Sequence, residues 1–319
     1  MKSVKIAIID TGVDKKFINS AGIIGGVSYY IKDSDLYMSD EYHDVNGHGS
    51  SCAYIIQKHC PNALLYIVKI TQHDSGISSS LLLLEALKHL LLVDVDIISI
   101  SMSVKGGNYK EDIKEIMGQL KRQGKIIVVS VQNGKFDSFP ANLKECLGVR
   151  GELIKGYNYI YDNKEKVQII CDNVPELVPT MEGGYEWFWG NSKATAYMSA
   201  MIGTIICENG KQEIEENLIK DSKKEFVDNE EKGNMGWGKL EESVFQKVSP
   251  FIYQYTTDYD GSKDRILLDD KIRRLYDIDN FLKECEAVLK ITISYDKLQF
   301  SDFFSVRTIV HYFAGKLQE

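Results

Sequence analysis

Short apolar segments rich in β-branched residues alternate with segments of helical periodicity over residues 1–207. The apolar segments are VKIAIID, ALLYIVKI, VDIISISMS and KIIVVSV. Stretches 50–58, 78–92 and 111–122 between them carry the apolar spacing of helices. Strands that are apolar throughout are buried on both faces, and their alternation with helices is typical of a parallel sheet. The pattern predicts an α/β fold with a doubly wound, mostly parallel sheet.

The longest apolar segment, LLLLEALKHLLLVDVDIISI, contains acidic and basic residues from Glu85 to Asp96. Such charges are costly inside a bilayer, so the segment predicts a helix followed by a buried strand, and no membrane partner. The chain has 319 residues and a net charge of -8. That length accommodates a large domain with a small one, and the acidic balance argues against a nucleic-acid partner.

The N-terminal segment and the cysteines predict a cytoplasmic protein. MKSVKIAIID has too short an apolar core for a signal peptide and continues directly into the first strand. The six cysteines lack CxxC spacing, and most have apolar neighbours: Cys52, Cys60, Cys146, Cys171, Cys207 and Cys285. We expect reduced thiols in the core.

A change of composition marks a predicted domain boundary. After about Val248 the sequence becomes YQYTTDYDGSKDR, and two amphipathic segments follow, DIDNFLKECEAVLK and SVRTIVHYFAGKL. Residues 1–247 are therefore predicted to form the large domain, and residues 248–319 a small helical C-terminal domain.

Two candidate catalytic residues stand beside glycines where a strand ends and a helix begins. Asp10 ends the first strand and is followed by Thr11-Gly12, which is compatible with helix capping as well as with catalysis. His48 lies in NGHGSS, where the glycines leave the imidazole unobstructed. A lone histidine is as compatible with a structural role, so each residue alone leaves two alternatives.

Two more candidates complete a possible acyl-transfer site. Ser192 in GNSKATA opens an apolar helix, where it is either an N-cap or a nucleophile in the helix dipole. Asn133 follows KIIVVSV, and its amide serves either a turn or a developing oxyanion. Taken together, Asp, His, Asn and Ser supply every part of a serine acyl-transfer site.

The segments IAIIDTGVD, NGHGSSCA, VVSVQNG with SFPA following, and GNSKATA resemble the signature blocks of subtilisin-like serine proteases (subtilases, peptidase family S8). The blocks stand in the family's order, and the resemblance covers residues 1–245. It implies a seven-stranded doubly wound sheet. It also implies that Asp10, His48 and Ser192 form the catalytic triad and that Asn133 donates to the oxyanion.

The resemblance also indicates where substrate binds. Its substrate-binding strand corresponds to the segment that contains Ser103 and Val104, followed by Lys105 where the family usually has glycine. Gln132 replaces the glycine that usually precedes the oxyanion asparagine. Both replacements add side chains around the S1 pocket, so we expect narrower specificity than in broad digestive subtilisins.

No metal or cofactor is expected, because HCPNALLYIVKI has no counterpart of the calcium-binding insertion of secreted subtilisins. The tail segment ISYDKLQFSDFFSVRTIVHYF resembles the closing part of acyl or peptidyl carrier domains. Arg274-Leu275-Tyr276-Asp277 stands where a carrier has Asp-Ser, which implies a domain that cannot hold phosphopantetheine. A generic small helical domain is the alternative.

These features predict a serine endopeptidase that acts on a peptide or protein through an acyl-enzyme. The restricted pocket and the extra domain favour a cytoplasmic processing protease for a dedicated peptide, such as the leader peptide of a ribosomally made natural product. A general intracellular turnover protease is an alternative. So is a pseudoprotease that only binds peptides, because Asn191 and Ala196 replace the family's threonine and proline.

Overall fold

The computed structural model describes residues 2–70, 80–104, 107–152, 154, 158–212, 214–222, 237–263, 265, 267, 275 and 277–318. The chain divides into two compact units. The first unit consists of Met1–Asn173 and Trp189–Val227, and the second of Val174–Phe188 and Asp228–Glu319.

A sheet of nine described strands forms the centre of the first unit. The strands are β1 (Val4–Asp10), β2 (Ile23–Lys32), β3 (Asp35–Ser39), β4 (Ala63–Lys69), β5 (Ile97–Ile100), β6 (Ile126–Ser130), β7 (Leu147–Glu152), β8 (Tyr159–Tyr161) and β9 (Ile169–Asp172). Their order is β3-β2-β4-β1-β5-β6-β7-β9-β8. The outermost pairs β2–β3 and β8–β9 are antiparallel, and the inner pairs are parallel. The predicted fold class is confirmed, although the described sheet exceeds the seven strands that the resemblance implied.

Burial on both faces explains why the predicted strands are apolar throughout. Ile8 of β1 lies between Ile67 of β4 and Ser99 of β5, and all three residues are almost fully buried. Alternate residues face opposite sides of the sheet, so each side has to meet a layer of helices.

Five described α-helices of the first unit supply those layers: α1 (His48–His59), α2 (Ser80–Leu90), α3 (Lys110–Arg122), α4 (Asn191–Asn209) and α5 (Ile214–Asp221). One buried cluster joins α2 and α3 to one face of the sheet, including Ala7 and Ile9 of β1. On the other face, α4 packs against α1 and β1, where a Cβ on Gly203 would lie 3.2 Å from the Val4 side chain. The sheet is therefore covered on both faces, as a doubly wound fold requires.

In its described residues, the second unit combines three α-helices with a hairpin from the middle of the chain. Its elements are β10 (Glu176–Pro179), β11 (Tyr185–Phe188), α6 (Lys239–Tyr255), α7 (Ile278–Leu289) and α8 (Val306–Lys316). Trp187 of the hairpin shares one buried apolar cluster with Phe281 of α7 and Phe313 of α8. Its ring meets those of Phe300 and Phe303 edge-on, at centroid distances of 5.3 and 5.7 Å.

This arrangement differs from the predicted boundary at 247/248. Val248 lies inside α6 and is completely buried, so the composition change falls within a packed helix. The hairpin from Val174 was assigned to the large domain, but it packs in the core of the second unit. In the described part of the chain, no helix has the length and apolar character that crossing a membrane requires.

Candidate active site

Asp10 and His48 meet at the carboxyl edge of the sheet. Asp10 is the last residue of β1 and is 2% exposed, and His48 is the first residue of α1. The His48 Nδ1 atom lies 2.7 Å from Asp10 Oδ1, which also accepts a hydrogen bond from the Thr11 N–H. The negative charge of Asp10 raises the pKa of His48 above its ordinary value, against the opposing effect of burial.

Glycines on both sides allow this close approach. A Cβ on Gly49 would lie 2.2 Å from the Gly12 carbonyl oxygen, a contact that no side chain permits. Gly12 itself has φ +110, and a Cβ there would meet the Tyr42 carbonyl oxygen at 2.5 Å. Thr11 Oγ1 accepts a hydrogen bond from the Gly49 N–H at 2.8 Å. The D-T-G and H-G sequences thus fix the distance between β1 and α1.

Asp44 holds the loop that leads to His48, and the sequence did not single it out. Its buried carboxylate accepts hydrogen bonds from the N–H groups of Asn46, Gly47 and Ser50, and from the Ser50 hydroxyl. Burial favours a raised pKa for Asp44, but these hydrogen bonds together outweigh burial and lower it. The signal that was available is an aspartate two residues before Asn46-Gly47, a turn in which the aspartate bonds its own loop.

Ser192 lies in the first turn of α4, and the Asn133 side chain bonds to the residue before it. The cap of this helix is Gly190, with φ +94, so Ser192 is inside the first turn and is not the N-cap. The Ser192 hydroxyl donates to the Ser101 carbonyl at 3.2 Å, just beyond β5. The Asn191 N–H donates to Asn133 Oδ1 at 3.2 Å. The first turn of α4 therefore carries the nucleophile candidate and binds the side chain of the oxyanion candidate.

Asn191 anchors this turn to two strands. Its Oδ1 accepts from the Gly151 N–H of β7, and its Nδ2 donates to the Val131 carbonyl after β6, both at 2.8 Å. The side chain is 6% exposed. Asn173 Oδ1 accepts the Gly190 N–H at 2.7 Å and tightens the same turn. The replacement that suggested a pseudoprotease thus has a structural role.

The predicted substrate-binding residues occupy two neighbouring strand ends. Ser103 and Val104 follow β5 and are half-buried, and the Val104 N–H donates to the Phe139 carbonyl at 3.3 Å. Gln132 follows β6 with an exposed side chain, and its N–H donates to Ser138 Oγ at 2.9 Å. Lys105 lies outside the described residues.

Cys52 is a neighbour of the site that the sequence assigned only to the core. It lies one turn after His48 on α1 and is completely buried. Its Sγ atom, a ring nitrogen of His48 and a carboxylate oxygen of Asp10 all lie within 4.8 Å of one another. Burial raises the pKa of the Cys52 thiol well above its ordinary value. All six cysteines are free thiols, and all except the partly exposed Cys207 are buried.

The fold and the family comparison define a hydrolase of the serine protease class. The family model Peptidase_S8, the subtilase family, matches residues 1–238. The chain belongs to the subtilase family and is a serine endopeptidase of the subtilisin type.

Solved structures with the same fold are found among subtilisin-like enzymes. A cold-adapted subtilisin-like serine proteinase aligns with a TM-score of 0.52 at 16% identity, over 70% of this chain and 84% of that chain. Sphericase aligns with a TM-score of 0.55 at 19% identity, over 69% of this chain and 85% of that chain. The S41 psychrophilic protease aligns with a TM-score of 0.56 at 16% identity, over 68% of this chain and 82% of that chain. At these identities the likeness concerns the fold alone. A search of curated proteins found no match.

Proposed function

We propose that the chain hydrolyses peptide bonds with Ser192 as the nucleophile, His48 as the general base and Asp10 as its partner. The observation that carries the proposal is the 2.7 Å contact between His48 Nδ1 and the buried Asp10 carboxylate. A carboxylate there keeps the proton on Nδ1 and leaves Nε2 to accept the proton of the attacking hydroxyl. The raised pKa of His48 favours the imidazolium that forms in this step.

Two N–H donors support the proposed oxyanion site. The Ser192 N–H lies in the first turn of α4, where backbone N–H groups have no acceptor within the helix. The Oδ1 atom of Asn133 accepts from Asn191, which leaves the Nδ2 group of Asn133 as its donating end. A donor pair of this kind stabilises the negative charge of a tetrahedral intermediate.

For the substrate we propose a dedicated peptide that is processed in the cytoplasm. The exposed Gln132 side chain next to Asn133 supports restricted access to the S1 pocket. The second unit, with its own core, supports recognition of more of a peptide than the residues around the cleaved bond. A turnover protease is expected to accept many sequences, so profiling of a peptide library separates the two settings.

An active-site probe tests the chemistry. A fluorophosphonate should label the wild-type chain, and Ser192→Ala should abolish both labelling and nearly all peptide hydrolysis. Ser222→Ala is the matched control, because Ser222 lies just after α5 and its hydroxyl donates to the nearby Ile219 carbonyl. This control should be labelled like the wild type. A folded wild-type chain that takes up no probe, or labelling that persists in Ser192→Ala, contradicts the proposed nucleophile.

A further inference from the structure

We propose that Cys60 and Cys207 form a redox-active pair, which hydrogen peroxide converts into a disulfide that ties the end of α1 to α4. The structure shows the reduced pair, since both side chains are free thiols. Formation of this bond is independent of the proposed peptidase activity. It joins two helices whose first turns carry His48 and Ser192.

The two cysteines lie where the C-terminal ends of α1 and α4 pack together. Cys60 caps the C-terminus of α1, and Cys207 lies in the last turn of α4. The Thr204 hydroxyl donates to the His59 carbonyl at 3.4 Å and connects the same two segments. A Cβ on Gly203 would lie 3.2 Å from the Cys60 Sγ atom, so this sulfur rests directly on α4. Gly203 and Cys207 stand four residues apart, so Cys60 meets the helix face that carries Cys207.

The two thiols also interact with each other. Burial raises the pKa of both, that of Cys60 to about 11. A hydrogen bond between the thiols adds to the rise at Cys60 and opposes it at Cys207. Cys207 is therefore the member of the pair that is favoured as the thiolate, the form of cysteine that attacks an oxidant.

A cavity of about 180 Å³ lies beside the pair. Both cysteines line it, together with His59, Pro61, Asn62, Thr204 and Glu208. Cys207 is partly exposed, whereas Cys60 is buried. A water molecule takes up roughly 30 Å³ in the liquid, and hydrogen peroxide is only slightly larger. The cavity therefore has room for peroxide next to the more exposed sulfur.

The oxidation balances in two steps. The Cys207 thiolate attacks one oxygen of hydrogen peroxide, the O–O bond breaks, and the sulfur becomes a sulfenic acid. The released hydroxide combines with the proton that the Cys207 thiol gave up. The Cys60 sulfur then attacks the sulfenic sulfur, the S–S bond forms, and the departing hydroxide takes the Cys60 thiol proton. Two thiols and one peroxide thus give one disulfide and two water molecules.

Peptide mapping of the full-length wild-type chain tests the pair directly. Trypsin separates the two cysteines, because it releases Cys60 in HCPNALLYIVK and Cys207 in ATAYMSAMIGTIICENGK. After treatment with hydrogen peroxide and blocking of the remaining thiols, a disulfide should join these two peptides, and dithiothreitol should separate them. The chain should still run as a monomer on a non-reducing gel. Peroxide treatment that leaves the two peptides unlinked, or links them only between two chains, overturns the proposal.

The melting temperature measures the tie between the two helices. A cross-link between residues that are far apart in sequence restricts the unfolded chain, so the oxidised wild type should melt about 5 °C or more above the reduced form. Peroxide should produce neither the rise nor the linked peptides in Cys207→Ser and in Cys60→Ser. A disulfide that forms and lowers the melting temperature would show that the helices must leave their native packing to form it, and it would overturn the proposed pair.

Cys146→Ser is the matched control. Cys146 is another buried thiol, but it lies in the cluster that joins α2 and α3 to the opposite face of the sheet. Its Sγ atom bonds to the carbonyl oxygens of Pro140 and Leu143, which a serine hydroxyl can also do. This variant should keep the linked peptides and the rise in melting temperature. Loss of both in the folded Cys146→Ser chain would mean that Cys146 takes part in the oxidation, which contradicts a reaction confined to Cys60 and Cys207.

Discussion

One amide side chain, Asn191, shows how a residue that departs from a family pattern can still serve the family's geometry. The family's threonine offers a single hydroxyl, whereas Asn191 bonds to β7 with its oxygen and to the end of β6 with its nitrogen. From the sequence, Asn191 was interpreted as a sign of lost function. A substitution in a family motif shows which side-chain atom is missing, but it does not show which new contact replaces it. The contacts lie 40 and 60 residues away along the chain.

The four candidate residues themselves were accessible from sequence because each stands at a glycine-marked end of a strand or beginning of a helix. The positions of Asp44 and Cys52 beside the site were not accessible from sequence. Asp44 looks like a solvated loop acid, yet it is fully buried. Cys52 looks like a core residue, and only the packing of α1 against β1 reveals that its thiol reaches Asp10.

We attribute the pH dependence of the proposed reaction to His48, its proposed general base. The Asp10 charge raises its pKa above the ordinary value of 6.5, and the base must be neutral to act. We expect kcat/KM to fall on the acid side with a midpoint above 6.5. In Asp10→Asn the midpoint should move down and kcat should drop by about 10⁴-fold. A pH profile of both proteins measures this. An acid midpoint that is unchanged by Asp10→Asn would mean that another group controls the profile.

Among the elements, the strands that are apolar on both faces were predictable, and the edge strand β3 was not. Four inner strands are continuous apolar segments because helices cover both of their faces: β1, β4, β5 and β6. β3 lies at the edge of the sheet with nearly all of its residues exposed, so no burial pattern marks it. Its pairing with β2 depends on cross-strand contacts such as the stacked rings of Tyr30 and Tyr37, 5.5 Å apart.

The contact between β1 and α1 should tolerate no side chain at Gly49. Gly49→Ala places a Cβ against the backbone oxygen of Gly12, and backbone cannot move aside as a flexible side chain can. We expect a loss of about 1 to 3 kcal/mol in the free energy of unfolding, together with reduced activity. Urea denaturation and peptide hydrolysis measure the two effects.

Gly118→Ala is the matched control for that variant. Gly118 lies inside α3, where an added Cβ meets its nearest neighbour at an ordinary 3.5 Å. Alanine should leave activity intact and raise stability by about 0.5 to 1 kcal/mol, because glycine is the poorer helix former. Equal stability losses in the two variants would show that Gly49 is not a special contact.

At the scale of the whole molecule, the sequence correctly indicated a large α/β part and a smaller helical part, but not where one ends. The second unit takes its core from separated segments, and composition along the chain cannot show that the hairpin β10–β11 belongs with α6, α7 and α8. The likeness of the tail to carrier domains stays a prediction. Leu275, in the segment that replaces Asp-Ser, is buried and forms a β-bridge with Thr256.

A chain that ends at residue 247 tests the unit boundary. It lacks α7, α8 and the end of α6, so the buried Leu177 and Trp187 lose the residues that cover them. We expect low solubility and a reduced melting temperature. A chain that lacks only residues 317–319 is the control and should behave like the full-length protein, because Leu317 is already 38% exposed. A soluble 247-residue chain with full hydrolysis of activated esters would show that the hairpin folds without these helices.

The position of the hairpin also sets an order of assembly during synthesis. The chain leaves the first unit after Asn173 and returns at Trp189, directly before the helix that carries Ser192. A ribosome adds about 5 to 20 residues per second, so Trp187 emerges on the order of ten seconds before the aromatic residues of α8 that share its core. Until α6, α7 and α8 have all been made, the apolar core around the hairpin stays incomplete. Helix α8 thus completes a core that was begun before the proposed nucleophile, Ser192, was made.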